Sequence, residues 1–174
     1  MSDSLQTFII EPLNPAKHRR EEFDCGVPVL NDFLRTRARK EMDAGTSTCF
    51  VMVAEDAPGR IVGYYTLSAA TIARTELPET ILKKLPRYDA MPATLLGRLA
   101  RDLNVKGQSI GQRLMLSALN RSVSASKEVA SLAIITDPKD AKARAFYEAF
   151  GFRLLTPQRM FLTMKEAEAL LSVP

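Results

Sequence analysis

Apolar residues change period several times along this chain, and each change marks an element. A first extended run covers Phe8, Ile9, Ile10 and Leu13. After a polar link, Val29, Leu30, Phe33, Leu34, Ala38 and Met42 recur every three or four residues. That spacing predicts an amphipathic helix over 27–44, stopped by Gly45. β-Branched and aromatic residues then crowd 46–54 and 61–72, and Asp56-Ala57-Pro58-Gly59 between them predicts a hairpin turn. Pro78, Pro86 and Pro92 make 73–92 a long loop with at most a short helix at 79–85. Beyond it the pattern predicts a strand over 94–103, a helix over 112–119 and a buried strand over 129–136. The next helix starts with Asp137 as N-cap, Pro138 in its first position and Asp140 in its first turn, and it runs to Phe150 with Gly151 as its cap. Two short extended runs, 152–155 and 160–164, flank a turn at Pro157, and 165–171 predicts a terminal helix. The order βαββ, loop, βαβαββ predicts an α/β fold, a mixed sheet with helices on its faces and a ligand site at the strand ends.

Composition narrows the picture. The chain has 174 residues, 46% hydrophobic and 25% charged, with no repeat or linker, which predicts a single domain over 1–174. No run approaches the roughly 18 apolar residues of a membrane span. Met1-Ser2-Asp3-Ser4 lacks the basic-then-apolar pattern of a signal peptide, so a cytoplasmic protein with no membrane partner is expected. Cys25, Cys49 and His18 show no metal-ligand spacing, so no metal is expected and both cysteines take structural roles. His18, within Lys17-His18-Arg19-Arg20, reads as part of a solvated turn.

The net charge of +4 permits an anionic partner. Arg35, Arg37, Arg39 and Lys40 crowd the first helix, Lys83, Lys84 and Arg87 lie in the long loop, and Arg98 and Arg101 precede the next one. Such a pattern is either a solvated helix face or a nucleic-acid footprint.

Candidate chemistry begins at Val105-Lys106-Gly107-Gln108-Ser109-Ile110-Gly111, which joins a strand to a helix. Backbone N–H groups at a helix start have no intrahelical partner and carry the positive end of the dipole, which suits a pyrophosphate. The same residues also suit a bare strand-turn-helix corner. Neither the spacing of a dinucleotide fold nor the Gly-Lys-Ser/Thr of a P-loop is present. Further on, Ala143, Phe146, Tyr147 and Phe150 share one helical face, on which Tyr147 is the titratable member. By pattern it is either a core tyrosine or a catalytic one.

Together these segments resemble the Gcn5-related N-acetyltransferase (GNAT) superfamily. Its acetyl-CoA loop, Gln/Arg-x-x-Gly-x-Gly/Ala, falls on residues 106–111, with Lys106 for Gln/Arg and Ser109 for the first motif glycine. Its second signature, Asn-x-x-Ala-x-x-Phe-Tyr-x-x-x-Gly-Phe, is matched by Asp140, Ala143, Phe146, Tyr147, Gly151 and Phe152, and only Asp140 differs. The resemblance implies a GNAT-like acyl-CoA N-acyltransferase fold with a mostly antiparallel sheet, and acetyl-CoA as cosubstrate. It assigns acetyl-CoA contacts to Leu99, Ala100 and Arg101 on the strand, to Lys106, Gly107, Gln108, Ser109, Ile110, Gly111 and Gln112, and to Asp140 and Ala143. It gives Tyr147 the catalytic role of protonating the departing thiolate.

A narrower resemblance rests on Phe23-Asp24-Cys25-Gly26, Leu30-Asn31-Asp32-Phe33-Leu34, Gly63-Tyr64-Tyr65-Thr66-Leu67 and Leu96-Gly97-Arg98-Leu99-Ala100-Arg101-Asp102. These look like the acetyltransferase toxins of toxin-antitoxin modules, with Arg101 where that family has an apolar residue. The implied activity is acetylation of the α-amino group of aminoacyl-tRNA, with Arg35, Arg39, Lys40 and Arg98 as candidate tRNA contacts. A ribbon-helix-helix antitoxin and a homodimer are the implied partners. An acetyltransferase for a small amine, an antibiotic or a protein N-terminus, and a non-catalytic binding module, are the competing readings.

Overall fold

A computed structural model describes residues 6–173; Met1-Ser2-Asp3-Ser4, read above for a signal peptide, lies outside them. The strands are β1 (Phe8–Pro12), β2 (Thr48–Ala54), β3 (Ala57–Ala73), β4 (Ala90–Arg101), β5 (Ala133–Thr136), β6 (Arg153–Thr156) and β7 (Arg159–Thr163). The helices are α1 (Pro28–Asp32), α2 (Ala38–Ala44), α3 (Glu79–Leu82), α4 (Ile110–Ser126), α5 (Ala141–Glu148) and α6 (Met164–Leu171), in the predicted alternation with the strands. The strands hydrogen-bond in the order β1-β2-β3-β4-β5-β7-β6. The β1/β2, β2/β3, β5/β7 and β6/β7 pairs are antiparallel and β4/β5 is parallel, which makes the sheet mixed and mostly antiparallel. By packing, the residues up to Leu67 with Arg98–Ala118 form one compact unit, and Ser68–Gly97 with the residues from Leu119 onward form another. β3, β4 and α4 contribute residues to both.

In the first unit, Phe23, Phe33, Leu34, Ala38, Cys49, Val51 and Tyr64 build the core. The Tyr64 ring meets Phe23 edge-on at 5.5 Å and stacks on Phe33 at 6.2 Å, while its hydroxyl donates to the Leu30 carbonyl at 2.7 Å. The predicted helix over 27–44 buries the expected face, but Phe33–Arg37 is a π-helical turn between α1 and α2. There the Thr36 hydroxyl takes the Asp32 carbonyl at 2.7 Å, competing with the regular ladder, and the Ala38 N–H reaches back five residues to Phe33. Gly45 ends α2 at φ 74°, as expected.

The hairpin turn falls on Glu55 and Asp56, earlier than the sequence suggests. Ala54 pairs with Ala57, but Val53 pairs with Ile61, so Pro58, Gly59 and Arg60 fill an irregularity in which proline forfeits no ladder bond. His18 also departs from expectation: it is buried, not solvated. Its Nδ1 accepts from the Asn14 N–H at 2.9 Å, so Nε2 carries the proton and donates to Glu11 Oε1 at 2.8 Å. A buried imidazole with both nitrogens satisfied is stable in that neutral form.

In the second unit, Ile72, Leu77, Met91, Ala93, Ile135 and Phe161 form the core. β5 is shorter than predicted, because the Val129 N–H still bonds the Ala125 carbonyl as a continuation of the α4 turn. β4 begins four residues early, at Ala90. The cap of α5 is Asp140, not Asp137: its Oδ1 accepts the Ala143 N–H at 2.8 Å. Asp137 instead takes both Nε and Nη2 of Arg159, at 2.7 and 2.9 Å, and Pro138 precedes the helix.

Candidate active site

In the first unit, β4 ends against a buried carboxylate. Asp102 accepts the N–H of Asp24 at 3.1 Å and of Asn104 at 2.7 Å, and its own N–H donates to the Val62 carbonyl at 2.9 Å. The Leu103 N–H donates to the Asp24 carbonyl at 2.9 Å. The strand end is thereby pinned, and the chain leaves it toward α4 through an exposed loop.

Two residues of that loop are left-handed, Gly107 at φ 74° and Ser109 at φ 54°. Ser109 is the non-glycine residue with positive φ among those described, so the position that departs from the family motif is one where glycine costs least. The backbone N–H groups of Lys106, Gly107, Gln108 and Ser109 donate to no other described residue. Kinked successive N–H groups at the start of a 17-residue helix form a concave anion nest backed by the dipole. The sequence left a bare corner and a phosphate cradle open; unspent donors favour the cradle.

Side chains unmarked by any motif hold this loop. The Arg113 Nε donates to the Gln108 carbonyl at 3.1 Å while its guanidinium lies over the Phe8 ring at 5.4 Å. The Gln108 side chain donates to Gln6 Oε1 at 3.2 Å. Ile110 is buried and Gly111 and Gln112 open α4. Gly63, on β3, leaves room for that opening: a Cβ there would lie 2.7 Å from Leu114 Cδ1 and 3.1 Å from the Ala100 carbonyl oxygen. Among the assigned strand residues, Ala100 is buried in the core, Leu99 is half-buried, and Arg101 is exposed with Nη1 3.3 Å from the Val105 carbonyl.

The basic candidates part company. Arg98 is half-buried with its guanidinium 3.6 Å from the Phe33 ring centroid, and it makes no hydrogen bond or ion pair to a described residue. Arg35 donates through Nη2 to the carbonyls of Glu21 and Phe23, at 3.2 and 2.9 Å. Arg39 is exposed and faces Asp43 at 3.7 Å, and Lys40 is exposed. Cys49 is buried, which pushes its thiol pKa up to about 12 and makes it inert. Among the described residues no cluster of His, Cys, Asp or Glu could hold a metal ion, and no helix is long and apolar enough to cross a membrane.

In the second unit, α5 carries Tyr147, only 7% exposed, with the rings of Phe146 and Phe152 at 5.5 and 5.6 Å. Gly151, at φ 97°, turns the chain so that the Phe152 N–H returns to the Tyr147 carbonyl. Asp140 spends its carboxylate on capping α5, and half-buried Ala143 supplies the capped N–H. Burial pushes the Tyr147 phenol pKa up, and a hydrogen bond with the Thr136 hydroxyl pulls it back. Thr136 ends a run of β-branched and apolar residues and carries no signal in the sequence beyond strand propensity.

A mixed sheet of this order, an amide nest between β4 and α4, and a buried tyrosine on α5 define an acyl-CoA-dependent transferase. The chain belongs to the acetyltransferase (GNAT) family, whose sequence model matches residues 14–152. It is 36% identical over 151 residues to a tRNA-acetylating toxin of Mycobacterium tuberculosis, covering 86% of this chain and 88% of that one. Among solved structures, AtaT complexed with acetyl-methionyl-tRNAfMet is similar at a TM-score of 0.86 and 30% identity, covering 95% of this chain and 100% of that one. AtaTR bound with AcCoA is similar at 0.82 and 30%, covering 95% and 98%. A mutant AtaT bound to the C-terminus of the antitoxin AtaR shares the architecture at 0.80 and 27%, covering 95% and 99%.

Proposed function

We propose that this protein transfers the acetyl group of acetyl-CoA to the α-amino group of aminoacyl-tRNA and so acts as the toxin of a toxin-antitoxin module. The observation that carries the reading is the row of unspent N–H groups at Lys106, Gly107, Gln108 and Ser109, continued by Gly111 and Gln112 at the start of α4. Those donors fit a pyrophosphate. Likeness to a tRNA-acetylating toxin, and to AtaT with acetyl-methionyl-tRNAfMet, supports the choice of acceptor.

In this reading the pantetheine arm lies as an added strand along Leu99, Ala100 and Arg101. Asp102 and Leu103 already give their N–H groups to Val62 and Asp24, so the donor for the developing oxyanion comes from residues 99–101. An α-amino group titrates near pH 7.7 to 8, so about a tenth or more is neutral near pH 7 and no strong protein base is required. The amine nitrogen bonds to the acetyl carbon, the carbon–sulfur bond breaks, and the sulfur takes the Tyr147 phenolic proton. The proton shed by the new amide nitrogen balances the phenol. Asp140 and Ala143 set the start of α5 and hence the height of Tyr147.

Arg39, Lys40 and Arg98 supply cationic donors for the tRNA backbone. Arg35, held by main-chain carbonyls, adds charge and fixes the segment beneath them. The same reading takes a ribbon-helix-helix antitoxin as partner, a homodimer as assembly, one catalytic domain over 1–174, and the cytoplasm as location. AtaT with the C-terminus of AtaR supports the antitoxin. The test is incubation with acetyl-CoA and charged tRNAs, followed by mass spectrometry of the released amino acids. N-acetylated amino acids are the expected product; acetylation of free small amines alone would assign the enzyme to the other substrate class.

A further inference from the structure

The parallel ladder of β4 and β5 has Leu95 and Ile135 as its last registered pair, although β4 runs on to Arg101. One residue further along each strand, a side chain takes over. The Thr136 hydroxyl donates to the Leu96 carbonyl at 2.9 Å, and both residues are fully buried. The same hydroxyl is hydrogen-bonded with the Tyr147 phenol.

A hydroxyl has one proton and two acceptor positions. While Thr136 donates to Leu96, it offers Tyr147 a lone pair, which holds the phenol in one orientation. Once the phenolic proton has gone to an acceptor, the Thr136 proton can turn from the Leu96 carbonyl to the phenolate. A neutral hydrogen bond then becomes a charge-assisted one, roughly twice as strong. The remaining neighbours of the ring, Phe146 and Phe152, offer the phenolate nothing.

We propose that Thr136 is a positioning residue for acetyl transfer, its hydroxyl orienting the Tyr147 phenol and then donating to the phenolate as the proton leaves for the CoA sulfur. This rests on the acid role of Tyr147. The Leu96 carbonyl returns the hydroxyl to its starting direction after each turnover.

Thr136→Val, Thr136→Ser and Tyr147→Phe, alone and combined, test it by steady-state kinetics on the full-length protein. Thr136→Val should lower kcat about tenfold, the size of one lost charge-assisted hydrogen bond, with the KM for acetyl-CoA within about twofold. Thr136→Ser, which keeps the hydroxyl, should stay within about threefold of wild type. On a Tyr147→Phe background, Thr136→Val should change kcat less than about twofold, since the group it serves is gone. Wild-type kcat in Thr136→Val, equal damage by serine and valine, or a full further loss on the phenylalanine background overturns the proposal. Undiminished turnover in Tyr147→Phe alone removes the acid role of Tyr147 instead. Thr136→Ala replaces the valine variant if that one does not fold, with the same expectations.

Discussion

Arg98 and Phe33 stand face to face, the guanidinium 3.6 Å from the ring centroid. Stacking occupies the flat face of the cation and leaves its N–H edge unused, which suits a phosphate or carbonyl oxygen of the acceptor. Lysine keeps the charge but cannot stack or present the planar fork. Both Arg98→Lys and Arg98→Ala should raise the KM for aminoacyl-tRNA about tenfold and leave acetyl-CoA affinity intact. Unchanged KM in both variants would take Arg98 out of the acceptor site.

Tyr147→Phe should bind acetyl-CoA as the wild type does, because the ring packing against Phe146 and Phe152 is kept. Turnover should fall by about a hundredfold or more, the usual range for losing a general acid. In cells the wild type without its antitoxin should arrest growth and the variant should not. Equal arrest by both would sink the acid role.

Ser109 adopts φ 54° without the freedom of glycine. Ser109→Gly relaxes the loop and should leave acetyl-CoA binding equal or tighter by calorimetry, whereas β-branched Ser109→Val, a true outlier there, should weaken it about tenfold. Comparable binding by the glycine and valine variants would show that the left-handed turn does not matter for affinity.

Gly63→Ala would drive a Cβ to 2.7 Å from Leu114 Cδ1 and 3.1 Å from the Ala100 carbonyl oxygen, and the latter is main chain that cannot swing away. Thermal or denaturant unfolding should register about 1–3 kcal/mol of lost stability, the usual cost of overpacking. Acetyl-CoA affinity should drop with it, since Ile110 at the start of α4 is pressed by the same atom.

Glu11 has its carboxyl pKa lowered, first by Lys17 and then by His18, through hydrogen bonds. A depressed carboxyl contributes stability that is complete above its unfolded pKa and is lost as pH falls through the folded value. Acid unfolding of the wild type should therefore steepen below the ordinary glutamate range. Glu11→Gln should flatten that part of the curve, and an unchanged slope would mean that the Glu11 contacts are not populated in solution.

What the sequence made legible was local. The face of Phe33, Leu34 and Ala38, the stop at Gly45 and the glycine turn before α4 follow from spacing and backbone chemistry within a few residues. What it concealed was settled by distant partners. Asp137 and Asp140 are equally good caps on paper, and Arg159, 22 residues beyond Asp137, decides between them. His18 looks solvated among cations until Glu11 and the Asn14 amide enclose it. Thr136 resembles any strand threonine, since its two partners come from β4 and α5. Gly63 was visible as part of a toxin-like string, but its reason lies with Leu114, across the face of the sheet.

The unspent amides of Lys106, Gly107, Gln108 and Ser109 carry one more consequence. A backbone N–H without an acceptor has nothing to protect it from exchange, so these positions should take up deuterium at nearly the rate of an unstructured peptide. Their neighbours in α4 are shielded by the helix ladder. The loop is thus its own isotope label, and slowing of those few amides would report an arriving pyrophosphate without any chemistry taking place.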